Sequence, residues 1–357
     1  MIQQKKYFNN IEDFLNSSLQ SHSDIQIELI NDDKFSNERA SELGSAFSNC
    51  TNLSNLTLYI GKNQIGASGL SSALANCTKI QNLALYIGEN EIDGESASVL
   101  GSALAKCTNL SNLILDIRGN KIGDQGASSF CFALANCIKL SSLALYFVDN
   151  QIGELGAQAL GSALTNSKSL SNLEFYLSGN QISETGVQGL CSALAKCANL
   201  SSLTLDFGQN KIGSTGALSL DSALASCTNL LKLTLYFYNN QIGDTDALGL
   251  GSGLAKCPNL SNLTLSLISN KIGEIGASGL GSSLANCVNL SSLRLYLGLN
   301  EINDKGASGL VYALTKVTNL SSLTLDLMKN RINKSEKFEV KSKCIKLKKL
   351  VVKRIYL

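Results

Sequence analysis

An asparagine returns on a fixed beat through this chain: Asn63, Asn90, Asn120, Asn150, Asn180, Asn210, Asn240, Asn270, Asn300 and Asn330. The first interval is 27 residues and the other eight are 30. A period of this length marks a stack of one repeated unit and excludes most compact folds at once. Around each Asn the apolar period changes. Before it, apolar residues alternate, as at Leu56, Leu58 and Ile60, which predicts a strand buried on one face. After it, Ala277, Leu280, Leu284 and Cys287 recur at helical spacing, which predicts a helix with one apolar side. Each unit reads strand, loop, helix, loop, and buries its apolar sides only against its neighbours. The Asn amide can both accept from and donate to backbone where the strand ends, so stacked copies predict a hydrogen-bonded ladder. The Ile two places on, from Ile65 to Ile332, plugs the core.

Two residues past that Ile stand Asp124, Glu154, Glu184, Asp244, Glu274 and Asp304. There a carboxylate meets the free N–H groups and positive dipole end of a helix start, which predicts capping. Calcium is the poorer reading, because one carboxylate per unit builds no cage of about 6–8 oxygens.

Chemistry that needs unlike groups to converge is missing from the pattern. The lone histidine, His22, has no partner motif and is expected at the surface. No phosphate-loop, H-E-x-x-H or kinase signature occurs, and "GLGSGL" at 249–254 lies inside a helix template. The expectation is a non-enzyme with no cofactor and no metal. Nine of eleven cysteines share one slot: Cys50, Cys77, Cys107, Cys137, Cys197, Cys227, Cys257, Cys287 and Cys344. One per unit on an apolar stripe predicts buried small side chains. Zinc would need ligands in short local pairs. A disulfide wants Cα atoms near ~5.5 Å, whereas ladder neighbours are expected about 5–10 Å apart. Cys131 and Cys191 fall off the ladder, on what reads as the outer side of the helix, and are expected to react with a thiol reagent.

The opening "MIQQKKYFNNIEDFL" has no signal-like apolar run, and no stretch reaches the ~18 apolar residues of a membrane span. The sequon "NLS" recurs just ahead of the strands, and secretion would invite a glycan onto repeat after repeat. A cytoplasmic protein with reduced cysteines is therefore expected.

Three segments follow. Residues 1–24 read as an N-terminal helical cap, with Phe8, Ile11, Phe14, Leu15 and Leu19 at helical spacing. Residues 25–330 form the solenoid, opening on a degenerate strand at Ile25, Ile27 and Leu29 that leads to Asp32. Residues 331–357 form a basic capping repeat, with Leu347, Leu350 and Val352 at strand positions. Net charge is +2, yet residues 329–357 alone hold eleven Lys or Arg and two Glu, leaving an acidic body of −7. Lys341, Lys343, Lys346, Lys348, Lys349, Lys353 and Arg354 could touch nucleic acid or an anionic membrane. A solvated capping strand, its lysines blocking edge-to-edge pairing, is the favoured reading.

The patterns "LxxLxLxxNxI" and "GxxGAxxLxxALxxCxxL" resemble the ribonuclease-inhibitor type of leucine-rich repeat over about residues 25–357. Within that family the chain is most similar to Ser/Asn-rich repeat proteins of ciliated protozoa. The resemblance implies an α/β horseshoe solenoid. Parallel β-strands would line its concave face and α-helices its convex face, in about ten full repeats of 30 residues with degenerate terminal caps. The strand segment carries an added dipeptide relative to the family pattern.

One strand position varies. Four residues before each Asn stand Tyr59, Tyr86, Asp116, Tyr146, Tyr176, Asp206, Tyr236, Ser266, Tyr296 and Asp326. If Leu58 and Ile60 point inward, this column points to the concave face. Six of the ten tyrosines sit there, flanked by Glu174, Lys232, Tyr238 and Arg294. Tyrosine offers stiff amphipathic contact area, and aspartates would steer a basic partner. The alternative is a structural ladder of tyrosines stacked across strands ~4.8 Å apart. The residue after each Asn is Gln or Glu in every Tyr unit and basic in every Asp or Ser unit, from Gln64 and Lys121 onward. Asp116 and Lys121 lie five residues apart around a strand end, so shared descent of two unit types is favoured over a direct ion pair. The expected function is a non-enzymatic scaffold that binds a basic or extended protein through this column. The family also implies an alternative, a regulator of an enzyme in the manner of ribonuclease inhibitors or Ran GTPase-activating proteins.

Overall fold

In a computed structural model the change of apolar period becomes a change of element in every repeat. The structure describes residues 5–30, 32, 35–63, 65, 68–164, 166–345 and 350–357. The chain divides into two units, Met1–Asn180 and Gln181–Leu357. The first runs β1 (Lys6–Phe8), α1 (Ile11–Leu15), β2 (Asp24–Glu28), α2 (Asn37–Asn49), β3 (Asn55–Tyr59), α3 (Ser68–Ala75), β4 (Asn82–Tyr86), α4 (Gly94–Leu104), β5 (Asn112–Asp116), α5 (Gly123–Leu134), β6 (Ser142–Tyr146), α6 (Glu154–Leu164) and β7 (Asn172–Tyr176). The second runs α7 (Glu184–Leu194), β8 (Ser202–Asp206), α8 (Gly213–Ser226), β9 (Lys232–Tyr236), α9 (Asp244–Ala255), β10 (Asn262–Ser266), α10 (Glu274–Leu284), β11 (Ser292–Tyr296), α11 (Asp304–Leu314), β12 (Ser322–Asp326), α12 (Lys334–Ile345) and β13 (Val352–Tyr356).

Within each unit every strand pairs in parallel with the strand of the next repeat, in chain order. The register is one repeat, so like positions align: Tyr59 with Tyr86, Leu58 with Leu85, Ser266 with Tyr296. This turns a sequence period into columns on a surface. Inward residues such as Leu83, Leu85 and Ile87 are at most 2% exposed, and each such side chain stabilises the stack by about 1.5–3 kcal/mol.

The asparagine ladder forms. Asn120 Nδ2 donates to the carbonyl of Ile117 in its own repeat, while its Oδ1 accepts from the N–H groups of Asn90 and Ile92 in the repeat before. Asn270 does the same towards Asn240 and Ile242. The acids after the Ile reach the other way. Asp124 lies in the first turn of α5, but its carboxylate accepts from Gly153 and Gly156 N–H in the following repeat. Asp244 and Asp304 likewise accept from Gly273 and Asn333. The expected caps of the same helix are thus caps of the next one; the residue just before supplies the local cap, as at Asp93, Ser183 and Asn303.

Four expectations are corrected. Cys131 and Cys191 are buried, 5% and 3% exposed. Their slot faces the neighbouring helix, and the glycine at the matching place in α4, Gly101, would set a Cβ only 2.9 Å from Ser129 O of α5. A wheel drawn for one helix shows an outer side there; helices packed on both flanks remove it. Burial pushes both thiols up to about 12, so they are poor nucleophiles. His22 is 4% exposed, packed against the rings of Phe8 and Phe14, with Nε2 2.8 Å from Ser17 Oγ. Burial, and the charge of Lys6, lower its pKa. The N-terminal segment is only partly helical: Asn10 caps Asp13 N–H, so the helix cannot start earlier, and Lys6–Phe8 instead pairs with β2. At the other end β13 aligns Lys353 with Leu323 and Ile355 with Leu325, which leaves Val352 41% exposed beside Ser322. Leu350 is buried, whereas Leu347, Lys346, Lys348 and Lys349, like Gln64, lie outside the described residues. Lys353 Nζ bonds the carbonyl of Ile345.

The nine ladder cysteines are buried and form no disulfide. Several donate to carbonyls of the preceding repeat, as Cys257 Sγ to Leu224 O at 3.5 Å.

Candidate functional site

The variable column lies on the sheet face turned away from the helices: β3 and β4 alternate half-buried and buried residues down to Tyr59 and Tyr86, and parallel register carries the same face along the column, where Asp116, Ser266 and Asp326 are buried among their neighbours. In the first unit it contains Tyr59, Tyr86, Asp116, Tyr146 and Tyr176; in the second, Asp206, Tyr236, Ser266, Tyr296 and Asp326. Register adds two members that sequence periodicity passed over: Glu28, beside Tyr59, and Tyr356, beside Asp326. Both lie in degenerate terminal repeats without the Asn that marks the others.

The first unit pairs its tyrosines. Tyr59 and Tyr86 stack with centroids 4.4 Å apart and planes 7° apart; Tyr146 and Tyr176 stack at 4.4 Å and 6°. The structural ladder and the exposed strip are therefore the same object. Between the pairs Asp116 is 5% exposed and bonded to Arg118, whose Nε lies 2.9 Å from both carboxylate oxygens. That bond raises the pKa of Arg118 and holds its guanidinium in the column. Its carbon lies 5.6 Å from the Tyr146 centroid. Gly88 makes room for it, since a Cβ there would come 2.9 Å from Arg118 Cγ. Asp116 thus has its partner at Arg118 and its charge is largely neutralised. Glu174 accepts from the Tyr176 hydroxyl at 3.2 Å.

The second unit spaces its tyrosines. Tyr236 and Tyr296 flank Ser266, and the three line a recess of ≈ 460 Å³ with Thr264, Ile268 and Arg294. Arg294 is exposed, as is Lys232. Tyr238 lies where Gly208 has no side chain; a Cβ there would overlap its ring. Burial raises the pKa of Tyr86, Tyr146 and Tyr236, helped first by Tyr59, Glu174 and Asp206 respectively. All three phenols stay protonated at neutral pH and can donate hydrogen bonds.

The residues after the Asn meet across repeats. Lys271 Nζ lies 3.2 Å from Gln241 Oε1, and Arg331 pairs with Glu301 at 3.0 Å. At these two places the alternation of Gln or Glu with a basic residue has contacts of its own, between neighbouring repeats and not within one. Among the described residues no group of three His, Cys, Asp or Glu could hold a metal ion, and no helix is long and apolar enough to cross a membrane.

Residues 109–131, 199–220 and 289–311 match a family model described as leucine-rich repeat. An internalin of Listeria monocytogenes, InlF, is similar in structure with a TM-score of 0.57 at 24% identity, over 97% of this chain and 88% of that one. A second internalin of that organism, InlC2, matches with a TM-score of 0.43 at 21% identity, over 80% of this chain and 92% of that one. No curated protein matches in sequence. The fold is a leucine-rich repeat solenoid. Every second strand residue belongs to the face without the inward leucines, and in this chain that face carries the half-buried tyrosines and their flanks.

Proposed function

We propose that this protein is a non-enzymatic scaffold and that the open face of its sheet binds a protein. The observation that carries the reading is the stacked, half-buried tyrosine pairs on a sheet face that no helix covers among the described residues. Stacking fixes the rings before a partner arrives, so little side-chain entropy is lost on binding. The partner is an extended segment, basic where it meets Glu28 and Glu174. Asp116 contributes little to that attraction, because Arg118 answers its charge.

Two narrower readings belong with it. A true α-helix in every full repeat, from 8 to 14 residues long, supports the ribonuclease-inhibitor type of leucine-rich repeat. Eleven buried cysteines, none of them in a disulfide, support work in the reducing cytoplasm.

The test is affinity capture from native lysate with the wild type and with Tyr146→Lys, Tyr176→Lys and Tyr236→Lys together. Loss of the main captured protein is expected. An identical partner set would overturn the assignment of this face.

A further inference from the structure

A short residue stands between two tyrosines at more than one place in the column, and two of these places, over Asp116 and over Ser266, are in different states. Neighbouring rungs are about 4.8 Å apart, so tyrosines two rungs apart leave a gap of about 9.6 Å between ring planes. Over Asp116, between Tyr86 and Tyr146, the protein fills this gap itself: the planar guanidinium of Arg118 rests on the carboxylate and against the Tyr146 ring. Over Ser266, between Tyr236 and Tyr296, no such group arrives. The residue in the place of Arg118 is Ile268, and Tyr238 stands where Gly88 gave the arginine its room. The recess of ≈ 460 Å³ remains.

The dimensions and charges say what would fit. A flat ring set midway would lie about 4.8 Å from each tyrosine, within the roughly 4.5–7 Å range of aromatic pairs. The stacked pairs of the first unit show this sheet holding rings 4.4 Å apart and nearly parallel. The floor here is a hydroxyl instead of a carboxylate, so a guanidinium has no counter-charge beneath it. The wall carries Arg294, which forms no ion pair among the described residues. A cation is therefore disfavoured and an anion favoured beside the ring.

We propose that the recess over Ser266 takes one aromatic side chain of a protein partner whose neighbouring residue is Asp or Glu. Tyr236 and Tyr296 sandwich the ring as a missing rung, and Arg294 pairs with the carboxylate. The proposal rests on the reading that this face binds a protein and adds the local sequence it selects.

The chain contains no Trp, so a Trp peptide reports its own binding by fluorescence. The probes are acetyl-Glu-Trp-Glu-amide, acetyl-Lys-Trp-Lys-amide, acetyl-Glu-Ala-Glu-amide and adenosine monophosphate, titrated into the full chain, with ligand-observed NMR for the two non-fluorescent ones. The acidic Trp peptide is expected to bind with a dissociation constant on the order of 1 mM, and at least tenfold more tightly than the other three. Ser266→Tyr, which inserts the missing rung, and Tyr236→Leu, which removes a wall, should each weaken it tenfold or more. Arg294→Glu should reverse the preference to the basic peptide. Circular dichroism melting checks that each variant folds, and Tyr236→Leu serves if Ser266→Tyr does not. Undiminished binding to the folded variants, no binding at 10-fold the expected constant, or tighter binding of the nucleotide would overturn the proposal. If the triple-lysine variant loses its captured protein while Ser266→Tyr keeps it, only the recess fails. If both keep it, the assignment of the face fails as well.

Discussion

The gap over Asp116 and the gap over Ser266 are built on the same frame and differ in the side chains set on it. Both sit between tyrosines on parallel strands, and both have an asparagine, Asn120 or Asn270, locking the turn four residues on. In one, Asp116, Arg118 and Gly88 close the space; in the other, Ser266, Ile268 and Tyr238 leave it open. The frame sets where side chains stand, and the side chains alone set whether a surface is available. Repeats that look interchangeable by their buried residues are therefore not interchangeable in function.

The largest effect is expected where the two sites should agree. Asn120→Ala and Asn270→Ala each strip partners from several buried backbone groups, at about 1–3 kcal/mol per group left unsatisfied. Each should lower stability by about 3 kcal/mol in urea unfolding. Costs differing by more than twofold between the two variants would show that the frames are not equivalent.

A smaller effect should convert one site towards the other. Arg118→Ala removes a side chain that is half exposed, so stability should fall by about 1 kcal/mol or less. The opened gap has a carboxylate floor. It should therefore take acetyl-Lys-Trp-Lys-amide in preference to acetyl-Glu-Trp-Glu-amide, the reverse of the gap over Ser266. Fluorescence titration reads the preference directly, and a preference for the acidic peptide at both gaps would break the comparison.

The smallest effect is electrostatic. Tyr146 and Tyr236 ionise above their ordinary 10.0 because burial disfavours the phenolate. An acid with a raised pKa holds its proton more tightly in the folded chain. Its contribution to stability is complete below pH 10.0 and is lost as pH climbs through the folded values. Arg118 offsets the rise at Tyr146 and Arg294 offsets it at Tyr236. Alkaline difference absorbance of Arg118→Ala and Arg294→Ala should show a further upward shift of one tyrosine in each case. A shift in only one variant would mean the two arginines do not play matching roles.

The frame could be read from the chain because stacking imposes the same demand ten times. Leu58, Ile60, Asn63 and Ile65 repeat since every strand end must satisfy the same backbone groups. Features that occur once carried no such signal. Arg118 follows Asp116 by two residues, which puts both on one strand face, but the pair occurs once, whereas the basic residue at the place of Lys121 recurs. Cys131 and Cys191 were misplaced because a helical wheel knows one neighbour and a solenoid helix has two. His22 was misplaced because the cap buries residues against Phe8 and Phe14, which share no period with the repeats. Glu28 and Tyr356 joined the column only through strand register, for their repeats lack the marker Asn.

The side chains that join one repeat to the next reach in opposite directions. Asn120 reaches back to hold the turn of the repeat before it, and Asp124 reaches forward to start the helix of the repeat after it. A cut between them leaves broken bonds on both sides, whichever piece is kept. A whole repeat, removed or copied between equivalent points, leaves every junction as it was. The number of repeats in such a chain is free to drift, while its phase is locked.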